Sequence, residues 1–247
     1  VGPHNSPVYG LEVAKREQEK LPEILTHEQV KKLLFEAKIR QHPWYAIWAL
    51  TVLTGCRNGE AYGLRHEDIE LKSPEEASKQ KHKPAHERDY GIIRLTRAWN
   101  SRLRTYGPLK ARYWRNLPVS SELYSILIEL KSKNFGSDEN GRFLLPHLSD
   151  WQDGGQAKVL RTFCNEIGIP SIRFHTLRAC FATHLISRGT PSTVVMKICG
   201  WRDLKTAERY IRLAGMDERG ATEGLDFIPS DQGVMEKVVS LYDYRKP

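Results

Sequence analysis

The chain has 247 residues, 40% of them hydrophobic, so it is long enough to bury a core of its own. No apolar stretch approaches the roughly 20 residues that cross a bilayer, and no charged and then apolar leader opens the sequence, so we expect a cytoplasmic protein. The formal net charge of +8 favours a polyanionic partner, because lysine and arginine release condensed counterions when they meet phosphates.

The first part of the chain is predicted to be helical after a polar opening. Residues 1–20 lack apolar periodicity and are expected to form a linker. Apolar spacing predicts a helix over 28–38 that begins after Thr26, and a second, more apolar helix over 43–53. A break at Gly55 then allows a short third helix over 57–64. Arg57 is therefore expected at a helix N-terminus.

The middle of the chain is predicted to be a polar loop followed by a small sheet. Residues 72–89 contain almost nothing apolar and are expected to form a mobile surface loop. Short runs over 92–98 and 113–119 carry β-branched and aromatic residues, with Gly107 and Pro108 as turn residues between them. Helical periodicity returns after Glu122. We therefore expect an α+β fold, mostly α-helical, with a small antiparallel β-sheet of two or three strands.

A basic strip occupies residues 91–120, which contain seven basic residues and no Asp or Glu. Trp99, Tyr106, Tyr113 and Trp114 are interleaved with the charges, so the strip could offer phosphate contacts together with flat surfaces for sugars or bases. The alternative is an ordinary solvated basic face. The seven residues are Arg94, Arg97, Arg102, Arg104, Lys110, Arg112 and Arg115.

A second group of polar residues lies in the last third of the chain. His175 and Arg178 stand at positions i and i+3, so they are neighbours on one face of a predicted helix. A further short helix is expected to end at Gly200. Trp201 follows directly, and Tyr210 stands in the next helical stretch.

The order and spacing of these motifs resemble the tyrosine recombinase (phage integrase) family over residues 25–213. The matching motifs are Thr54-Gly-Cys-Arg57-Asn-Gly-Glu60, His175-x-x-Arg178, Gly200-Trp201 and Tyr210. The resemblance implies that Arg57 and Arg178 clamp a DNA phosphate, that His175 is the motif histidine, and that Trp201 fills a position held by His or Trp. It makes Tyr210 the nucleophile that becomes bonded to the phosphate.

Two further roles follow from the resemblance. Lys110, ahead of the strand that ends at Pro118, would be the hairpin lysine that protonates the departing 5′-hydroxyl. Glu60 would hold the guanidinium of Arg57 in place from behind. The remaining arginines of the basic strip are expected to bind DNA: Arg94, Arg97, Arg102, Arg104, Arg112 and Arg115.

These residue types suit phosphodiester chemistry. Planar guanidiniums can each donate paired hydrogen bonds to the non-bridging oxygens, where charge builds up. Tyrosine has a pKa of about 10, so its hydroxyl must pass a proton to a neighbour such as His175 or be favoured as phenolate by the arginines. A phosphotyrosyl bond conserves the energy of the broken ester, so religation needs no ATP. The sequence has no Gly-x-x-x-x-Gly-Lys-Ser/Thr loop and no metal-ligand cluster, and we expect neither cofactor nor metal.

The sequence thus favours a site-specific DNA recombinase, nucleoid-associated, that acts on double-stranded DNA through a covalent 3′-phosphotyrosyl intermediate. A type IB topoisomerase or telomere resolvase and, in another class, a non-catalytic DNA-binding protein stay open. The family implies a homotetramer on paired DNA sites and allows a monomer free in solution. We expect residues 1–20 to link to an upstream DNA-binding domain and 21–228 to be catalytic. The tail, 229–247, would dock on a neighbouring subunit or pack on its own domain.

Overall fold

The computed structural model describes residues 24–100, 103, 105–110, 113–139, 141–148 and 155–215. The chain divides into two units, Val1–Ala214 and Gly215–Pro247, and the helices and strands named below all belong to the first. Several predictions fall outside the described residues: the linker 1–20, the tail 229–247, and the positions of Arg102, Arg104 and Arg112.

Three helices open the described chain, as the sequence predicts. They are α1 (His27–Ile39), α2 (Tyr45–Thr54) and α3 (Asn58–Tyr62). A capping box between Thr26 and Gln29 starts α1, because each side chain accepts a hydrogen bond from the other residue's backbone N–H. Helix α2 ends at Gly55, whose φ of 63° is left-handed. Arg57 is the N-cap of α3, which confirms its predicted position at a helix N-terminus.

Segment 72–89, expected to be a loop, contains a helix, so that prediction is wrong. Helix α4 (Pro74–Gln80) is set by a second capping box, in which Ser73 and Glu76 exchange backbone-to-side-chain hydrogen bonds. Its few inward positions, Ala77 and Gln80, are buried. Because these are the buried positions of α4, the segment has no apolar stripe from which helical periodicity could be recognised.

The strands form small antiparallel sheets, which confirms the predicted sheet. The three-stranded sheet has the order β1-β2-β5, and its strands are β1 (Ile69–Leu71), β2 (Gly91–Leu95) and β5 (Arg115–Pro118). Ile93 lies opposite both Ile69 and Leu117, so their side chains share the buried face. Two-stranded pairs are formed by β3 (Ala98–Asn100) with β4 (Thr105–Gly107), and by β6 (Ser137–Asp138) with β7 (Gly141–Arg142).

The β3–β4 hairpin rests directly on α3. A Cβ atom at Gly59 would lie 2.7 Å from the carbonyl oxygen of Trp99, so the close approach requires glycine. The Trp99 ring packs between Tyr62 of α3 and Tyr106 of β4, at centroid distances of 6.0 and 5.0 Å. Trp99 and Tyr106 are therefore half-buried rings that pack within the fold, in contrast to the exposed Tyr113 and Trp114.

The rest of the described chain is helical and builds most of the core. These helices are α5 (Ser121–Ser132), α6 (Gly155–Glu166), α7 (Phe174–Ser187), α8 (Ser192–Cys199) and α9 (Leu204–Ala214). Helix α7 packs against both α2 and α9. Trp48, Leu127 and Leu177 are fully buried in the main core. The fold is α+β and mostly helical, as expected. Among the described residues, no helix is both long and apolar enough to cross a membrane.

Candidate active site

Arg57 is held by Glu60, one turn further along α3. Its Nη1 donates to Glu60 Oε1 at 2.9 Å, and its backbone N–H donates to Glu60 Oε2 at 2.8 Å. The Arg57 side chain is 28% exposed, whereas that of Glu60 is 1% exposed. The carboxylate thus orients a guanidinium whose exposed part can donate to a bound anion.

Arg115, on β5, is the second partner of Glu60, which corrects its place in the basic strip. Its Nη2 donates to Glu60 Oε2 at 2.6 Å, its Nη1 to Oε1 at 3.2 Å, and its Nε to the carbonyl oxygen of Ile198 at 2.7 Å. The side chain is only 3% exposed. This burial contradicts the prediction that Arg115 binds DNA as part of the basic strip.

Sequence reasoning missed this contact because Glu60 lies 55 residues away along the chain. The absence of Asp and Glu within residues 91–120 says nothing about acidic side chains that other elements bring in. One local signal was available. Arg115 stands two positions before Leu117, and alternate residues of a strand point to the same face. In β5, Arg115 and Leu117 are buried and Asn116 is exposed.

Glu60 is ionised at neutral pH despite its burial. Burial acts to raise the pKa of this carboxyl. The hydrogen bonds and charge of Arg115, followed by those of Arg57, outweigh burial and lower the pKa below its usual value. A buried carboxylate between two arginines therefore keeps both guanidiniums in place.

Arg178, on α7, is held by backbone carbonyl groups at the ends of two helices. Its Nη1 donates to Gly55 O at 2.5 Å and its Nη2 to Cys199 O at 2.6 Å, and it is 7% exposed. These carbonyls belong to the unpaired C-terminal groups of α2 and α8. Against burial, which raises the pKa of the Tyr210 hydroxyl, the positive charges of Arg178 and Arg57 act to lower it, so both arginines lie within electrostatic reach of that tyrosine.

Two left-handed glycines allow this arrangement. At Gly55, with φ 63°, an added Cβ would lie 2.3 Å from the Phe181 ring. At Gly200, with φ 65°, it would lie 2.9 Å from Nη1 of Arg115. Each position thus needs glycine both for its backbone conformation and for the close approach of a neighbouring side chain.

Tyr210, on α9, stacks on Trp201. The ring centroids are 4.5 Å apart with an angle of 14° between the planes, and the Arg178 guanidinium carbon lies 5.5 Å from the Trp201 centroid. Burial raises the pKa of Tyr210, and the positive charge of Arg178 offsets only part of that rise. The phenol is therefore protonated at neutral pH and needs a proton acceptor.

His175 lies at the exposed start of α7, one turn before Arg178. Desolvation lowers the pKa of its imidazole, and the charges of Arg173 and Arg209 lower it further. The ring is thus neutral near pH 7 and able to accept a proton. Within the described residues it makes no hydrogen bond to Tyr210. Catalytic hydrogen bonds in ligand-free enzymes are often long and tighten in the substrate complex.

Lys110 lies in an exposed turn after β4 and makes no ion pair within the described part of the chain. Among the described residues, no hydrogen bond connects it with Arg57, His175, Arg178, Trp201 or Tyr210. In the basic strip, Arg94 pairs with Glu70, and Arg97 pairs with Asp68 at 2.6 Å. Acidic residues of β1 and the turn before it therefore neutralise part of the strip.

An open groove of about 500 Å³ borders Trp201 and Gly200. Tyr113, Met196 and Lys197 also line it. The groove therefore combines ring and apolar surface with a cation near Trp201, the residue that stacks on Tyr210. Among the described residues, no three His, Cys, Asp or Glu side chains are grouped to hold a metal ion.

The phage integrase family model matches residues 23–216. The chain is 24% identical over 219 residues to a protein named tyrosine recombinase XerC-like from Caldanaerobacter subterraneus subsp. tengcongensis, covering 83% of this chain and 54% of the relative. It is 27% identical over 192 residues to the integrase of Escherichia phage 186, covering 77% and 44%. The chain thus spans about half the length of these curated relatives.

Solved structures share the fold at lower identity. XerA recombinase matches with a TM-score of 0.56 and 18% identity, over 93% of this chain and 68% of that one. The Tn1549 transposon integrase in complex with transposon right end DNA matches with a TM-score of 0.62 and 16% identity, over 91% and 68%. Because the family model spans most of the sequence and the fold agrees with it, the chain belongs to the phage integrase family.

Proposed function

We propose that the chain is the catalytic part of a site-specific DNA recombinase that cuts and rejoins double-stranded DNA through a 3′-phosphotyrosyl bond to Tyr210. The observation that carries the proposal is geometric: the Arg178 guanidinium lies 5.5 Å from the centroid of the Trp201 ring on which Tyr210 stacks. The positive charges of Arg178 and Arg57 both act to lower the pKa of the Tyr210 hydroxyl. Two guanidiniums beside a tyrosine form a phosphate site with a nucleophile at its edge.

In the proposed reaction the arginines bind the non-bridging oxygens of the scissile phosphate. Each guanidinium has five N–H donors, so Arg57 and Arg178 keep donors beyond those used by Glu60 and the carbonyl groups. Their partners hold them in place before DNA binds, so little reorganisation is needed as charge develops. Loss of one such donor typically slows a reaction by about 100- to 1000-fold.

Proton transfer would accompany nucleophilic attack. His175 accepts the phenolic proton of Tyr210, and the phenolic oxygen forms a bond to phosphorus. The bond from phosphorus to the 5′-oxygen breaks, and Lys110 protonates that oxygen. Attack by a 5′-hydroxyl of another strand reverses these steps and releases Tyr210. Trp201 supports the tyrosine ring and can donate its indole N–H to the phosphate.

DNA contacts would extend beyond this centre along the basic strip. Arg94 and Arg97 are partly exposed, each with an acidic neighbour. Arg102, Arg104 and Arg112 belong to the same proposed surface. Each lost phosphate contact should reduce the slope of log K against log salt by about 0.9, which an alanine series can measure.

The proposal extends to the organisation of the whole protein. Residues 21–228 would be the catalytic domain. An upstream DNA-binding domain, linked through residues 1–20, would bind the same DNA duplex. Strand exchange would take place in a homotetramer on paired sites at the nucleoid. The tail 229–247 would dock on a neighbouring subunit. Deleting 230–247 should then weaken assembly on paired sites, measured by gel shift, and leave cleavage of a single site intact.

The decisive test is covalent trapping on DNA. The probe is a library of short duplexes of random sequence, each nicked so that the released fragment diffuses away. The sequence recovered most often in the adduct is the selected sequence, and the nicked duplex that carries it serves in the later experiments. We expect an adduct that survives denaturing electrophoresis with the unsubstituted chain and none with Tyr210→Phe. Tyr124→Phe is the matched control, because Tyr124 bonds to the carbonyl of Lys72 in another part of the fold. An adduct that persists in Tyr210→Phe would contradict the assignment of Tyr210 as the nucleophile.

The same reagents separate the alternatives. Relaxation of a supercoiled plasmid that lacks the selected sequence would indicate a type IB topoisomerase. DNA binding without any adduct would indicate a non-catalytic DNA-binding protein.

A further inference from the structure

One buried arginine connects the structural supports of both candidate phosphate-binding arginines. Arg115 reaches from β5 to the carboxylate of Glu60 in α3 and to the last turn of α8. We propose that Arg115 is a positioning residue: it fixes the guanidiniums of Arg57 and Arg178 relative to each other and does not contact DNA. This inference rests on the proposed function.

The first connection runs through Glu60 to Arg57. Oε1 of Glu60 accepts from Nη1 of both arginines, at 2.9 Å from Arg57 and 3.2 Å from Arg115. Oε2 accepts from the Arg57 backbone N–H at 2.8 Å and from Nη2 of Arg115 at 2.6 Å. The paired contact with Arg115 fixes the plane of the carboxylate. Because Arg57 binds the same two oxygens, the plane of the carboxylate determines where its guanidinium points.

The second connection runs through the end of α8 to Arg178. Arg115 Nε binds the carbonyl of Ile198 at 2.7 Å, and Arg178 Nη2 binds the next carbonyl, that of Cys199, at 2.6 Å. Ile198 and Cys199 are consecutive residues of α8, and the helical conformation fixes the backbone dihedral angles between them, so holding one carbonyl restrains the other. Gly200 then passes close to the Arg115 guanidinium and leads into Trp201. The same contact therefore also restrains the residue that stacks on Tyr210.

Only an arginine can make these contacts together. Its planar fork supplies two parallel donors to the carboxylate and a third, along the Nε direction, to the carbonyl. A lysine ammonium could satisfy the charge of Glu60 but could not span both sites in this geometry. At 3% exposure, Arg115 has no surface to offer DNA. Its effect on the reaction must pass through the residues it positions, which are Arg57, Arg178 and, through Gly200, Trp201.

The test compares single-turnover cleavage of the selected nicked duplex at saturating protein, together with the apparent Kd for that duplex. The variants are Arg115→Met, Arg115→Lys and Leu127→Ala. Leu127 is fully buried in α5, which contributes nothing to the candidate site, and its truncation should also destabilise the fold. All rates are taken well below the Tm of each variant, measured by circular dichroism.

We expect Arg115→Met to cleave about 10- to 100-fold more slowly than Leu127→Ala, with little change in Kd, because a supporting contact is lost and a DNA contact is not. Arg115→Lys should recover most of the Tm but only part of the rate. If Arg115→Met fails to fold, Arg115→Lys and Leu127→Ala alone decide the question.

Other outcomes would overturn the inference. Equal cleavage rates for Arg115→Met and Leu127→Ala, or an unchanged cleavage rate in Arg115→Lys, would show that Arg115 contributes only to the stability of the fold. A loss confined to Kd would make it a DNA contact. If the unsubstituted chain forms no adduct, both the proposed function and this inference are contradicted. An active unsubstituted chain with any of the other outcomes overturns this inference alone.

Discussion

Trp201 lies flat against Tyr210, with ring centroids 4.5 Å apart and planes 14° from parallel. The stack restricts the rotation of the phenol ring, and Arg178 lies over the other ring of the pair at 5.5 Å. A nucleophile held in one direction needs less ordering before it attacks. The position of Trp201 therefore combines packing against the tyrosine with an indole N–H that can meet a phosphate.

These two contributions of Trp201 can be separated by substitution. Trp201→Phe keeps an aromatic ring on Tyr210 but removes the donor, whereas Trp201→Ala removes both. Because an aromatic pair contributes about 0.5–1.5 kcal/mol, we expect the Phe variant to cleave about 2- to 10-fold faster than the Ala variant. Single-turnover adduct formation measures both rates. Equal rates would mean that only the N–H contributes.

The dependence of the cleavage rate on pH should show, at its acidic end, the protonation of His175. Its pKa is lowered, so the neutral, proton-accepting form persists below the usual value of about 6.5. The cleavage rate should therefore be level from pH 8 to about 6.5 and fall only at lower pH, as the imidazole becomes protonated. His175→Gln should be slow at every pH and lack this fall. A rate that already declines between pH 8 and 7 would contradict a lowered pKa.

Gly200 should tolerate alanine less well than Gly189. Both are left-handed, with φ of 65° and 83°, so alanine at either costs about 1–2 kcal/mol of backbone strain. At Gly189 the added methyl meets no atom within 4 Å in the described part of the chain, whereas at Gly200 it lies 2.9 Å from Nη1 of Arg115, which Glu60 holds in place. We expect Gly200→Ala to cost about 1–3 kcal/mol more in the free energy of unfolding, measured by urea denaturation. Equal losses would show that the guanidinium can move at little cost.

Gly59 should also resist substitution, although alanine favours helices by about 1 kcal/mol over glycine. Its Cβ would press on the carbonyl oxygen of Trp99 at 2.7 Å, and a backbone atom of a packed hairpin cannot swing away. We expect Gly59→Ala to destabilise the chain by about 1–3 kcal/mol. Gly107→Ala in β4 meets no atom of the described residues within 4 Å and should change stability by less than about 0.5 kcal/mol. A stabilised Gly59→Ala variant would contradict the close seating of the hairpin on α3.

Much of the fold could be predicted because its signals are local. The capping residue Thr26 and the left-handed glycines Gly55 and Gly200 mark helix ends within a few residues of the bonds they make. Helix α4 was not predicted, because its two buried residues, Ala77 and Gln80, do not form an apolar stripe. Trp99 was expected at the surface, and its partial burial depends on Tyr62 of α3, far away in sequence.

The sequence by itself determined which chemical groups are present and in what order: two motif arginines, a histidine, a tryptophan and a tyrosine on capped helices. Only the tertiary structure decided the part that each arginine takes. Arg115 and Arg97 look alike within the basic strip, yet one is buried against Glu60 and the other lies partly exposed beside Asp68. The physical reason is that charge belongs to a residue, whereas burial and pairing depend on which distant elements pack beside it.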